Sequence, residues 1–113
     1  MHEMSLCESI LDIIKDRAAQ DHFSQVRRVC LQVGPFSCVE PEALRFGFDV
    51  VMRGSVAEGA RLEIETPEAS AFCLACFETV VVRYRLDVCP NCGASELQIK
   101  SGEELRIREL EVI

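Results

Sequence analysis

The sequence predicts an α+β fold: a small three-stranded sheet covered by two helices, with a zinc-ribbon-like lobe inserted before the last strand. Two segments carry apolar residues at helical spacing, 4–19 and the stretch after Pro41. Three others alternate, 26–33, 60–65 and 103–112. Between the second and third of these strands stand four cysteines in two C-x-x-C pairs. Two strands are marginal alone, so the last one is expected to return to the sheet.

In 4–19, Cys7, Leu11, Ile14 and Ala18 mark one helical stripe, widened by Leu6, Ile10 and Ile13. Ser5 and Glu8 have capping-box spacing, which would leave the first four residues ahead of the helix. In 26–33, Val29, Leu31 and Val33 share one face and Arg28, Cys30 and Gln32 the other, as in a half-buried strand ended by Gly34-Pro35. Pro41 suits the first turn of a second helix, where its missing N–H is not needed. Leu44, Phe48 and Val51 form that helix's apolar face, with Ala43, Gly47 and Val50 beside them, and Gly54 is its stop. In 60–65, Leu62 and Ile64 point inward, and Pro67 closes the strand. The segment 71–96 has its cysteines on either side of a β-branched run, Thr79–Val82, with a tight turn at Cys89–Gly93. In the last strand Leu105 and Ile107 have odd parity, but Leu110 and Val112 have even parity. A period of two cannot hold both, so a bulge is expected near Arg108-Glu109.

The 113 residues suffice for one compact domain, or for a small domain with a metal-stapled appendage. With 49% hydrophobic and 27% charged residues the chain reads as globular. Its net charge of -7 argues against a nucleic-acid module, which needs a basic field toward the phosphates. The opening residues lack the basic region of a signal peptide, and no apolar run is long enough to span a bilayer. Seven cysteines, an odd number, do not form a disulfide framework. A reducing cytoplasm is the expected compartment.

Cys73-Leu74-Ala75-Cys76 and Cys89-Pro90-Asn91-Cys92 are separated by twelve residues. Two-residue spacing lets both thiolates of a pair reach one ion, and two pairs complete a tetrahedron. Four soft thiolates with no open position select a structural Zn2+. The alternatives are four buried cysteines without a metal, or a redox dithiol, which needs only one pair. Of the remaining cysteines, Cys7 lies on the apolar helix face and reads as core, while Cys30 and Cys38 receive no role.

His2 is the second candidate. The terminal amine, the His2 amide nitrogen and the nearer imidazole nitrogen can chelate one ion in consecutive rings. Such a nitrogen-rich, square-planar set favours Ni(II) or Cu(II), and leaves a fourth position for the Glu3 amide, a carboxylate or a partner's ligand. The plain alternative is an exposed histidine on a frayed end. His22, beside Asp21, reads as solvent-facing.

Met1-His2-Glu3, the segment Val39-Glu40-Pro41-Glu42-Ala43-Leu44 and the two cysteine pairs together resemble the HypA/HybF family of hydrogenase maturation factors. The likeness runs over essentially the whole chain and follows the order of its elements. It implies a nickel metallochaperone. Ni2+ would be held as transient cargo by Met1, His2 and Glu3, and Zn2+ by Cys73, Cys76, Cys89 and Cys92. It also implies a HypB-type GTPase and the large subunit of [NiFe]-hydrogenase as partners and, for some members, the urease maturation proteins. Residues 1–69 with 97–113 would then be the nickel-binding α/β domain, and 70–96 the zinc-binding lobe. Glu40 or Glu42 is a candidate outer or fourth nickel ligand. Cys7, Cys30 and Cys38 lie outside the family's pattern and leave open an adventitious thiol ligand.

The rival reading is a zinc-ribbon protein-interaction module with no nickel role, which would keep its function when His2 is changed. An enzyme is the third: four cysteines close the metal position that catalysis would need, and no Ser-His-Asp set, Cys-His set or phosphate-binding loop is present.

Overall fold

The computed structural model describes residues 2–113, with side chains from Glu3 onward. The elements are α1 (His2–Asp21), β1 (Val26–Val33), α2 (Pro41–Val51), β2 (Arg61–Glu65), β3 (Ala69–Cys73), β4 (Thr79–Val82), β5 (Leu97–Ser101) and β6 (Leu105–Val112). They form two helices and two three-stranded sheets, ordered β2-β1-β6 and β4-β3-β5. This is the expected α+β architecture, with the last strand returning to the first sheet. The chain divides into two compact units. One is Met1–Leu31, Val39–Ile64 and Ile107–Ile113; the other is Gln32–Cys38 and Glu65–Arg106.

In the first unit α1 packs on α2. Its buried residues Glu3, Cys7, Ile10 and Ile14 step by four, three and four, one face of a helix. That stripe begins a turn earlier than the sequence suggested, so the helix starts at His2. Ser5 is exposed inside it and is not its cap, because the residues before it already belong to the packed face. Ile13 is half exposed and drops out of the stripe.

Glu40 is the N-cap of α2: its backbone is extended and its Oε1 accepts the Glu42 N–H at 2.9 Å. Pro41 opens the helix, and Leu44, Gly47 and Phe48 are buried. Gly47 lets α1 approach, since a Cβ there would stand 3.3 Å from the Cys7 Sγ. The Cys7 thiol donates to the Leu44 carbonyl at 3.5 Å. Val26, Val29, Leu31, Met52 and Leu62 complete the core, and each contributes about 1.5–3 kcal/mol by leaving water.

The outer face of β1 is less open than the alternation implied. Cys30 is 1% exposed, with an Arg108 nitrogen 4.0 Å from its Sγ. Arg28 reaches Glu63 at 2.6 Å, Glu111 at 3.3 Å, and Glu109. Burial in β6 changes parity where expected: Ile107 and Leu110 are half-buried, with Arg108 and Glu109 exposed between them. In β1, Val26 and Val29 are both buried as well, although they have opposite parity.

In the second unit β3 is central, antiparallel to β4 and to β5, with an irregularity at Ser70/Ala71 against β5. Phe36, Ala69, Ala71 and Val82 make its core, with Val80, Leu97 and Ile99 packed against them. The backbones of Gly34 and Gly102 nearly touch, and the Phe36 N–H donates to the Gly102 carbonyl at 2.6 Å.

Candidate metal centre

Cys73 is the last residue of β3, and the chain turns at once into Cys76. The Cys76 N–H donates to the Cys73 Sγ at 3.4 Å, and the Phe77 N–H to the Cys73 carbonyl at 2.9 Å. The second pair repeats this. The Cys92 N–H donates to the Cys89 Sγ at 3.4 Å, and the Gly93 N–H to the Cys89 carbonyl at 2.8 Å. Phe77 and Gly93 both have positive φ, 60° and 79°, which bends each turn back on itself.

The turns face each other. Cys73 Sγ lies 3.6 Å from Cys92 Sγ, and Cys76 Sγ lies 3.9 Å from Cys89 Sγ. All four sulfurs fall within 4.8 Å of one another, and among the described residues this is the one group of its kind. The Asn91 amide donates to Cys76 Sγ at 3.5 Å. Cys73 and Cys89 are buried, Cys76 is half-buried and Cys92 is exposed.

The electrostatics fit a cation. The Cys76 N–H, with lesser help from neighbouring donors, holds the Cys73 thiol below its ordinary value. At Cys92 the Ala94 backbone pulls the thiol down, but the Cys73 side chain, burial and the other two sulfurs push it up, to about 12. Four thiolates at this spacing cannot all stay ionised unless a positive ion shares them, and N–H donors aimed at sulfur favour the ionised form. The donor set and its closure suit a four-coordinate metal with no open position.

The nickel candidates lie elsewhere in the chain. Met1 and the His2 side chain are outside the described residues. Glu3 is described, in the first turn of α1; it is 8% exposed, and its Oε2 accepts the Glu40 N–H at 3.3 Å. Glu42 is exposed, and Glu40 spends one carboxylate oxygen on its cap. Cys7 and Cys30 are buried in the first unit, and Cys38 is exposed in the loop before α2.

A family model described as hydrogenase/urease nickel incorporation, metallochaperone, matches residues 1–112. The chain belongs to the HypA family. Hydrogenase maturation factor HypA from Acidithiobacillus ferrooxidans is 55% identical over 112 residues, 99% of each chain. The protein of that name from Alkalilimnicola ehrlichii is also 55% identical over 112 residues and 99% of each chain. That from Beijerinckia indica is 53% identical over 113 residues and the whole of both. The solution structure of the Ni metallochaperone HypA from Helicobacter pylori has a TM-score of 0.73 at 23% identity, covering 100% of this chain and 98% of the other. A second HypA solution structure has a TM-score of 0.76 at 23% identity, covering 100% and 97%. At that identity the likeness carries the HypA fold.

Sequence reasoning missed Phe77, whose positive φ no glycine announces, and Asn91, whose amide reaches a sulfur. Phe77 could have been found by laying the two cysteine turns over each other, where it falls opposite Gly93.

Proposed function

We propose that this HypA family member is a nickel metallochaperone, not an enzyme. In this reading it binds Ni2+ through its amino-terminal Met1-His2-Glu3 motif and delivers it during maturation of [NiFe]-hydrogenase. Its partners are a HypB-type GTPase and the hydrogenase large subunit, with the urease maturation proteins as a further client route, and it works in the cytoplasm. Cys73, Cys76, Cys89 and Cys92 hold a structural Zn2+, which when bound supplies folding free energy to a lobe with a small core.

The observation that carries the reading is the start of α1 at His2. The first N–H groups of a helix have no place in its ladder. Ligation through the amide nitrogens of the first turn therefore breaks no helical hydrogen bond. Loss of an amide proton is also eased there, because the helix end favours negative charge. Such a site is accessible and can release its ion to a partner, whereas the thiolate cage is closed. The two centres differ in softness and in access, as a cargo site and a structural site should.

The test is a nickel titration of the zinc-loaded protein with an intact amino terminus, beside His2→Ala and a form extended by one glycine before Met1. About one Ni(II) per chain for wild type, lost in both variants with zinc retained, is the expected result. Equal nickel binding by all three would remove the amino-terminal site.

A second reading has its own observation. The zinc lobe exposes Leu74, Phe77, Tyr84 and Leu86, the last 96% accessible. Apolar groups gathered on one lobe favour contact with another protein. If nickel binding fails, a zinc-ribbon interaction module is the better account.

A further inference from the structure

β6 ends the β2-β1-β6 sheet, so among the described residues one of its edges has no strand beside it. Such an edge is ordinarily blunted by scattered charges. Here the charges are ordered. Leu105-Arg106-Ile107-Arg108 is followed by Glu109-Leu110-Glu111-Val112, a basic half and then an acidic half, each alternating with apolar residues. Laid antiparallel on a second copy, about a point between Arg108 and Glu109, the strand meets its own complement. Leu105 then faces Val112, Arg106 faces Glu111, Ile107 faces Leu110 and Arg108 faces Glu109.

Two-fold pairing of a regular strand cannot use this register, because opposed side chains must share a face and these residues differ in parity. The parity change in β6 removes the obstacle. The Glu104 carbonyl accepts the Gly34 N–H at 2.7 Å, and the Ile113 N–H donates to the Gln25 carbonyl at 3.0 Å. Glu104 and Ile113 have opposite parity, yet both turn their backbone toward β1. By alternation from each end, Leu105, Ile107, Leu110 and Val112 turn theirs to the open edge. These are the residues that the two-fold sets opposite one another, so each pair can exchange its backbone hydrogen bonds. Leu105, Ile107 and Leu110 are half-buried, while Arg106, Arg108, Glu109 and Glu111 are exposed. Beside α1 the apolar row borders a groove lined by Ile13, Phe23, Ile107, Leu110 and Val112, of which Ile13 is 50% and Val112 41% exposed. On the other face three carboxylates, Glu63, Glu109 and Glu111, share Arg28. The acidic half of β6 keeps an excess of negative charge that the basic half of a second copy would balance.

We propose that the open edge of β6 is a self-recognition site: a second copy of this chain adds its own β6 antiparallel, about a two-fold axis between Arg108 and Glu109, making one continuous sheet. The occupant is a second copy because β6 complements itself in charge, in apolar pairing and in backbone direction at a single register. A slip of one residue either way sets an arginine opposite Leu110. A strand edge is a small contact, so the association is weak and reversible. It does not depend on the nickel reading.

The test is sedimentation of the full zinc-loaded chain from micromolar to millimolar concentration, beside Arg106→Glu and Glu111→Arg. Each substitution sets like charges opposite one another twice in the symmetric pair. Arg106 is exposed, and Glu111 makes the longest of the Arg28 contacts, so both variants should keep the sheet. Wild type should pass from monomer to dimer. Each variant alone should associate at least about tenfold more weakly. An equimolar mixture of the two should recover dimers with one copy of each, since every charged pair is then again of opposite sign. If either variant loses zinc or melts early, Val112→Pro carries the test. It removes an N–H that faces the open edge and none that faces β1, so it should lose the dimer too. A wild type that stays monomeric throughout would overturn the proposal. So would folded variants that dimerise as wild type does, which would put the contact on another surface, or a mixture no stronger than its components.

Discussion

Phe77 and Gly93 stand at the same place in two matching cysteine turns, each donating its N–H to the carbonyl of the first cysteine, and only one of them is glycine. A left-handed backbone costs an ordinary residue about 1–2 kcal/mol. At Phe77 this is offset in part by a tilted contact with the Phe72 ring, 6.2 Å between centroids. Nothing stands within 4 Å of a Cβ at Gly93, so a side chain there meets strain without a compensating contact.

Gly93→Ala should therefore destabilise the zinc-loaded protein by about 1 kcal/mol, while Phe77→Gly should stay close to neutral. Urea melts of both variants at fixed zinc would read this. A larger loss for Phe77→Gly than for Gly93→Ala would mean that the ring contact outweighs the backbone strain.

Gly34→Ala should be far more damaging. Its Cβ would stand 2.2 Å from the Gly102 carbonyl oxygen and 2.4 Å from its carbon, and a backbone cannot step aside as a side chain can. We expect a loss at or above the upper end of overpacking, about 3 kcal/mol, seen as an early melting transition with zinc present. A melt that coincides with wild type would show that the two segments can separate.

Zinc affinity should rise with pH. With its thiol pushed up to about 12, Cys92 carries a proton at neutral pH that the ion must displace. At least one proton is released per ion, so the affinity should climb by at least about tenfold per pH unit. Competition with a chelator between pH 6 and 8 would measure the slope, and a flat profile would contradict the assignment.

Arg28→Met should lower the melting temperature at neutral pH by leaving Glu63, Glu109 and Glu111 facing one another across β1. The Arg28 hydrogen bond holds Glu109 below the usual carboxylate range. That contribution is fully present above the unfolded carboxylate value and is lost as the pH falls below about 4.5 through the folded one. The deficit of the variant should shrink on acidification and in high salt. A deficit unchanged by both would point to lost packing of the arginine stem.

Thiol reagents should separate the cysteines. With zinc bound, Cys38 should react first, because Cys7 and Cys30 are 0% and 1% exposed. Burial, and then the charges of Glu3 and Glu8, push the Cys7 thiol up and slow it further. Chelation should add the four lobe thiols. Rapid loss of Cys7 from the native protein would mean that α1 opens readily from α2.

Both helices, β1, β2 and β6 were legible because their periods are carried by large apolar residues, Leu44 and Phe48 or Val29 and Leu31; of β4 only the β-branched run Thr79–Val82 was seen, and β5 was not expected. The four cysteines were legible because metal geometry dictates their spacing. β3 was not: Ala69, Ser70 and Ala71 are small, and they form a strand only because β4 and β5 flank them. Nor was the true start of α1. Ser5 has the local chemistry of a cap, and the burial of Glu3 that overrides it depends on Glu40, thirty-seven residues away. Nor was the burial of Cys30, which lies 4.0 Å from an Arg108 nitrogen on another strand.

Neither unit is one stretch of chain. Gln32–Cys38, with Phe36 of the lobe core, is made well before Glu65–Arg106, and Ile107–Ile113 is made after everything else in the helical unit. During synthesis, then, Phe36 must wait for the strands that will cover it, and the first sheet lacks β6 until Leu105–Val112 has emerged. Neither unit can complete its fold from its first segment alone, and a fragment beginning at Glu65 would hold the four cysteines without Phe36 of the lobe core.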